Sequence, residues 1–304
     1  MITQKPSTRK IINEAFRQGV VVPGFNIPYL PMMEPVIRAL TVTGTFGLIM
    51  VARLEWIKFK SGSMKAIRDE YEKLKDLKYT RLHLDHVPVI DEDNLLTDFE
   101  KIICEAIDLG FNSVMIDGSR LSLEENIEKT RRIVKIAHEY NIPVEAELGA
   151  VMGHESGPLP PYEELFATGK GFTSPDEAKR FVQDTQADWL SVAIGNIHGA
   201  ISAATRTEKK IEARLAIPHL KKINETLKIP LVLHGGSGIG KAYLMQSFKE
   251  GIAKINIATA IRQPYEKLMN SSVKEAQEAV YIEMLDIINN QLEISGSAGL
   301  IAGN

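Results

Sequence analysis

Residues 80–87 read "TRLHLDHV". Leu82, Leu84 and Val87 make this a short apolar run of the kind that forms a buried β-strand. On a strand, residues two apart share a face and residues three apart do not. His83 and Asp85 therefore project together, while His86 projects the other way at the point where the strand runs out. The two histidines cannot readily hold one ion, so a ligand at this place needs partners from elsewhere in the chain.

Seven further runs have the same character: "VVVPGFNI" from Val20, "FGLIMVAR" from Phe46, "SVMIDGS" from Ser113, "PVEAELG" from Pro143, "WLSVAIGN" from Trp189, "PLVLHGGSG" from Pro230 and "AKINIAT" from Ala253. Amphipathic helical patterns separate them, such as "EENIEKTRRIVKIAHEY", where Ile127, Ile133, Val134 and Ala137 recur at helical spacing. Near-continuous apolar strands covered by helices imply a parallel sheet buried on both faces. Eight such units in roughly 250 residues match a closed (β/α)8 TIM barrel, of the α/β class, in a single domain over residues 1–304. A doubly wound open sheet is the second choice, but it calls for a glycine-rich turn after the first strand, where this chain has "FNIPYLPMM". One segment breaks the rhythm: Ala150 to Ala178, after the fifth strand, is long and rich in glycine and proline, as active-site lids often are. The C-terminal "AQEAVYIEMLDIINNQLEISGS" predicts an amphipathic helical extension serving the barrel or a neighbouring subunit.

The chain has 304 residues, 44% hydrophobic and 25% charged, which suits a folded globular protein. A net charge of −3 without like-charge blocks gives no footprint for nucleic acid and no polybasic membrane anchor. Its single cysteine, Cys104, excludes intrachain disulfides and cysteine-rich zinc modules; it reads as a buried bystander on a helix. The N-terminal "MITQKPSTRKIINEAF" lacks a signal-peptide core, and the longest uncharged apolar run, Ala39 to Ala52, is too short to cross a bilayer. It reads instead as a helix end, a turn at Gly44 and a strand. These features predict a reducing, cytoplasmic setting and small-molecule chemistry.

In a barrel of this kind, chemistry sits at the C-terminal ends of the strands. Polar residues fall there in turn: Asp85 and His86, Asp117 to Ser119, Glu145 and Glu147, Asn196 and His198, His234, and Asn256 to Thr259. Any single histidine in this set is most simply a hydrogen-bonded core residue. His86, His198 and His234 in register at one rim, with carboxylates between them, favour a divalent ion with an open coordination position. His83 within its strand, His138 in a helix and His219 after Pro218 read as structural, and His154 reads as a loop residue. "HGGSG" at 234–238 offers backbone N–H groups to an anion, and with "NIAT" at 256–259 it occupies the usual phosphate position of the fold. A phosphorylated substrate follows.

The motifs "GFNIP", "LHLDH", "GFNSVMIDGSRLSLEENIEKT", "VEAELGAVMGHE", "AIGNIHG", "VLHGGSG" and "KINIAT" run over nearly the whole chain. Together they resemble the class II, metal-dependent ketose-bisphosphate aldolases, the family of fructose-bisphosphate and tagatose-bisphosphate aldolases. The resemblance implies one catalytic Zn²⁺ per chain on His86, His198 and His234, acting as a Lewis acid on the ketose carbonyl. It makes Asp85 the base that takes the C4 hydroxyl proton during C3–C4 cleavage, and Glu155 the carboxylate that exchanges a proton on the dihydroxyacetone phosphate carbon. Glu147 falls beside the metal as a support or alternate ligand. Asn26, Gly199, Gly235, Ser237, Asn256, Ala258 and Thr259 fall on the substrate and its phosphate, with a monovalent cation nearby. The implied partners are a phosphorylated ketose and further copies of the chain, as homodimer or homotetramer.

Three places depart from the family pattern: Val87 and the longer "PVIDEDNLLTD" connection, "ARLEW" after the second strand, and "HGAISAATRTEKK" from His198. Read as rim positions, they bear on the far half of the substrate, where Arg53 is expected to meet an anionic group on the aldehyde. The leading expectation is cleavage of fructose 1,6-bisphosphate to dihydroxyacetone phosphate and glyceraldehyde 3-phosphate, as in glycolysis. A tagatose-bisphosphate aldolase, or an aldolase with another acceptor aldehyde, is the nearest alternative. A non-catalytic partner of an active aldolase is the other; the presence of Asp85, Glu155 and all three ligand positions argues against it.

Overall fold

A computed structural model describes residues 5–149, 151, 162–197 and 213–303. All eight expected strands form: β1 Val22–Asn26, β2 Gly47–Ala52, β3 Thr80–Asp85, β4 Ser113–Ile116, β5 Val144–Leu148, β6 Trp189–Val192, β7 Leu231–Leu233 and β8 Ile252–Ile257. They pair in parallel and in chain order, and β1 closes on β8, giving a closed (β/α)8 barrel. β7 and β8 slip in register between Leu231 and Val232.

Alternation along the strands divides the interior. Outward residues, among them Leu82, Leu84, Val114, Ile116, Ala146, Leu190, Leu233 and Ile255, pack with the surrounding helices in the main core. Inward residues low in the barrel, including Val22, Leu48, Met50, Trp189 and Val232, belong to a separate cluster. Ile11, Ile12 and Ala15 of helix Thr8–Gln18 plug it from below, together with Ala298 and Ile301 of helix Ser297–Ile301. Helix Thr8–Gln18 is fixed at its start by Ser7, whose side chain accepts from Lys10 N–H, and at its end by left-handed Gly19. The floor is thus largely apolar, with the charge of the buried Arg81 beside Phe46, and the inward positions above it carry further charges.

Helix Met33–Thr43 ends at a left-handed Gly44, as the sequence suggests. The C-terminal extension is helix Val273–Asp286, continued by a π turn at Ile287–Gln291; it starts a little before the stretch singled out in the sequence. Its buried stripe, Ala276, Val280, Met284, Ile287 and Ile288, joins the barrel's own core, so that face serves the barrel. Cys104 is half-buried rather than buried, because the inward stripe of helix Phe99–Asp108 is Ile103, Ala106 and Ile107. Among the described residues no helix is long and apolar enough to cross a membrane.

Candidate active site and metal centre

Asp85 is the last residue of β3 and is 1% exposed. Asn26, at the end of β1, donates its Nδ2 to Asp85 Oδ2 at 2.9 Å, and Asn256 on β8 donates its Nδ2 to Oδ1 at 2.9 Å. Burial alone would raise the pKa of this carboxyl, but His86, Lys254 and His234 overcome it and bring it down to about 2. Asp85 is therefore an ionised acceptor with each oxygen held by a neutral amide.

His86 follows at once and has a left-handed φ of 33°. That conformation is uncommon for a residue with a side chain, and it turns the ring away from the strand direction. Its Nδ1 lies 3.4 Å from Asp117 Oδ2 beyond β4, and its ring sits 4.5 Å from that of His234, tilted by 58°. Burial favours a neutral His86, yet Asp85 and then Asp117 outweigh it and raise the pKa to about 10. His234, just past β7, places Nε2 at 2.9 Å from Glu145 Oε1 and Nδ1 at 2.9 Å from Glu147 Oε2. Glu145 also accepts from Trp189 Nε1 at 2.6 Å, and Ser191 Oγ donates to Glu147 at 3.2 Å.

The close approach of Asn126 secures the β4–β5 side of this rim. Its Nδ2 donates to the Glu147 carbonyl at 3.0 Å, and its amide lies where a Cβ on Gly118 would stand, so only glycine fits there. This gives a physical reason for the glycine of "IDGS" and the asparagine of "EEN".

The donor set suits a divalent ion. One ligand atom each from Asp85, His86 and His234 lie within 4.8 Å of one another, as do those of His86, Asp117 and Glu147. Two imidazoles face each other among four buried or half-buried carboxylates, where a dication would relieve the negative charge and the mutual repulsion of the rings. Imidazole and carboxylate are zinc's ordinary ligands, and the hold of Glu145 on one nitrogen of His234 is the usual way a ligating ring is oriented.

Of the residues expected in the site, Asn26, Asp85, His86, Glu147, His234 and Asn256 come together at one end of the barrel. Gly235, with φ 66°, begins the turn after β7, and Ser237 Oγ in that turn accepts from Ala260 N–H at 3.3 Å. This sets the turn against the start of helix Thr259–Leu268, for which Ala258 is the N-cap. Glu155, His154, His198 and Gly199, with all of "HGAISAATRTEKK" and part of the Ala150–Ala178 loop, lie outside the described residues. His83 supports the site: Nδ1 pairs with Ser113 Oγ at 2.8 Å, and burial followed by Lys254 lowers its pKa to about 4. His138 pairs with Asp188 and His219 with the Thr173 carbonyl, both structural.

Of the departures from the pattern, Val87 takes a different place from the rim position expected of it, while Arg53 stays at the rim, directly after β2. Val87 is fully buried in the strand–helix core, its carbonyl accepting from Asp117 N–H at 2.9 Å, because the chain runs beside β4 after His86. Arg53 starts helix Arg53–Lys58 and lies 3.5 Å from Asp91 Oδ2 in the connection after β3, so a carboxylate of this chain already faces it.

Four site residues were not assigned roles from the sequence: Glu55, Asp117, Glu145 and Lys254. Strand parity carries the signal for two of them, since Glu145 stands two residues before Glu147 and Lys254 two before Asn256. Each faces the barrel axis one layer below its partner. Glu55 is 6% exposed, its Oε2 accepting from Ala52 N–H at 2.7 Å. Burial, with some repulsion from Asp85, raises its pKa to about 8.

Known proteins bear on this arrangement. The family model for class II fructose-bisphosphate aldolase matches residues 6–299. Among solved structures, the YdjI aldolase from Escherichia coli K12 is 27% identical, with a TM-score of 0.75 over 97% of this chain and 100% of that one. A fructose-bisphosphate aldolase from Campylobacter jejuni, 16% identical, shares the fold with a TM-score of 0.71 over 96% of this chain and 98% of that one. Residues 6–299 span the whole barrel, from the helix that plugs its floor to the C-terminal extension, and the chain belongs to the class II fructose-bisphosphate aldolase family.

Proposed function

We propose that this protein is a zinc-dependent aldolase that reversibly cleaves a ketose 1,6-bisphosphate to dihydroxyacetone phosphate and an aldehyde phosphate. Fructose 1,6-bisphosphate, yielding glyceraldehyde 3-phosphate, is the first candidate substrate. The observation that carries this reading is the ionised Asp85, clamped by two amides and adjoining the paired rings of His86 and His234. His86 and His234, with His198, would hold the zinc ion, and Glu147 would support it. The ion would supply Lewis-acid polarisation of the ketose carbonyl.

Asp85 takes the C4 hydroxyl proton as the C3–C4 bond breaks and returns it in condensation; its low pKa leaves it ionised at neutral pH, with both oxygens able to accept. Asn26 and Asn256 hold its oxygens while leaving the outer lone pairs for substrate. The phosphate of the dihydroxyacetone half sits on the turn Gly235–Ser237, with Gly199, against the start of helix Thr259–Leu268, whose dipole favours an anion. Glu155 handles the proton on the carbon of that half. Lys254 is committed to Glu145 and Asn256, which agrees with chemistry that needs no lysine Schiff base.

The test is cleavage of a panel of phosphorylated ketoses, including fructose and tagatose 1,6-bisphosphates, with added zinc and detection of dihydroxyacetone phosphate. Activity abolished by chelator, restored by zinc and lost in Asp85→Asn is the expected result. No cleavage of any ketose phosphate by zinc-loaded protein would overturn it. A second reading, the same chemistry on another acceptor aldehyde, is favoured by the Arg53–Asp91 pair beside the site. Preference within the panel for a ketose other than the fructose and tagatose bisphosphates would select it.

A further inference from the structure

One buried charge has no part in the chemistry above. Lys254 lies on β8 two residues before Asn256, and its exposure is 0%. An ammonium so placed costs several kcal/mol unless its protons find acceptors. Its Nζ lies 2.8 Å from Glu145 Oε2, 3.1 Å from Glu145 Oε1 and 2.6 Å from Asn256 Oδ1, one acceptor for each proton.

This arrangement dictates the orientation of Asn256. With its oxygen on the ammonium, its NH₂ group is turned to the Asp85 carboxylate. The flipped amide would set NH₂ against ammonium and carbonyl against carboxylate, which is unfavourable at both ends. The other arm runs through Glu145, whose Oε1 meets His234 Nε2 and whose Oε2 accepts from Trp189. A single cation therefore branches toward the base on one side and toward a metal-ligating ring on the other.

We propose that Lys254 is a positioning residue: its ammonium locks the Asn256 amide with NH₂ toward Asp85, and so fixes the base relative to the ring of His234 held through Glu145. The catalytic consequence rests on the aldolase reading; the lock itself does not. A purely neutralising lysine would need only to offset Glu145, whereas a positioning lysine must act through Asn256.

Lys254→Met keeps the length of the side chain and removes the ammonium. In protein labelled with ¹⁵N at asparagine, with the Asn256 side-chain signals assigned by their loss in Asn256→Ala, hydrogen exchange of that NH₂ group should be about tenfold faster or more in the variant. Backbone exchange on β8 should stay near the wild-type rate. In the assay, Lys254→Met should lower kcat on the order of 100-fold with KM within about threefold. In an Asn256→Ala background it should add less than about twofold, because the residue it acts through is gone. If Lys254→Met does not fold, Lys254→Met/Glu145→Gln removes both buried charges and the same exchange is read. Unchanged Asn256 exchange in a folded variant, or costs in kcat that simply multiply, would overturn the proposal. If wild-type protein cleaves no ketose phosphate, the aldolase reading falls alone and the exchange measurement still decides the lock.

Discussion

The barrel interior holds two regions built on the same strands and unlike in chemistry. Below, Val22, Leu48, Met50, Trp189 and Val232 meet the plugging helices in a largely apolar floor. Above, inward positions nearer the C-terminal ends of the strands carry Asn26, Glu147, Ser191, His234 and Asn256, joined by Asp85 on β3. The floor repays the entropy of folding through buried area, while the upper layer places ionised groups where burial alone would suppress their charge. Stability and chemistry are thus separated along the barrel axis, and substitutions in the two regions should have different signatures.

The sharpest contrast is Asp85→Asn, which keeps shape and burial. It should lower kcat by about 10²–10⁴-fold, the usual worth of a positioned base, with little loss of thermal stability. A large fall in melting temperature with modest loss of activity would reverse the division. Next is the pH dependence of zinc binding. With its pKa raised to about 10, His86 is a cation at neutral pH in metal-free protein and must lose a proton to ligate. Zinc affinity should therefore rise about tenfold per pH unit between pH 6 and 8, with a proton released on binding. Calorimetry in buffers of differing ionisation enthalpy measures this, and proton-independent binding would contradict the site.

In the floor, Leu48→Ala should cost about 2–5 kcal/mol of stability, while kcat/KM per folded molecule stays within about twofold. Denaturant melts combined with assays of the folded fraction check both halves. Glu55→Gln probes the boundary between the regions. A carboxyl whose pKa is raised on folding, here from the ordinary 4.5 to about 8, binds its proton more tightly when folded. Its stabilising contribution is complete below the unfolded value and is lost as pH rises through about 8. The melting temperature of metal-free wild type should fall relative to Glu55→Gln between pH 5 and 8.5, and parallel profiles would refute the shift. The smallest effect is expected of Arg53→Ala, which should raise KM for a bisphosphate by about fivefold or less and leave kcat unchanged. An unchanged KM across the panel would mean that Asp91 is its whole partner.

Eight strands, their order and the rim of polar residues were legible in the sequence because buried runs, turn glycines and strand parity are local signals. The meeting of Asp85, His86 and His234 followed once those ends were placed on one ring, whereas the role proposed for Asp85 rests on the motif and its two clamping amides were not anticipated. Arg53 and Val87 show the limit. Both look like rim residues by position; the run of the chain after β3 turns Val87 into the core and brings Asp91 to Arg53, which keeps its place at the rim, and no periodicity encodes such contacts between connections. Lys254 was missed, and Glu145 was placed at the rim without a role, for the opposite reason: charged residues inside apolar strands look like exceptions until their parity with Asn256 and Glu147 is counted. Glu155, His198 and Gly199 rest on motif alone.

The clamp on Asp85 draws one amide from β1 and the other from β8, the first and last strands of the barrel. During synthesis the nitrogen of Asn26 emerges early and that of Asn256 only when the final strand has left the ribosome. Asp85 thus acquires its full environment at the moment the barrel closes. A nascent or truncated chain lacking β8 holds half a clamp, so turnover in this protein doubles as a report that the last strand is home.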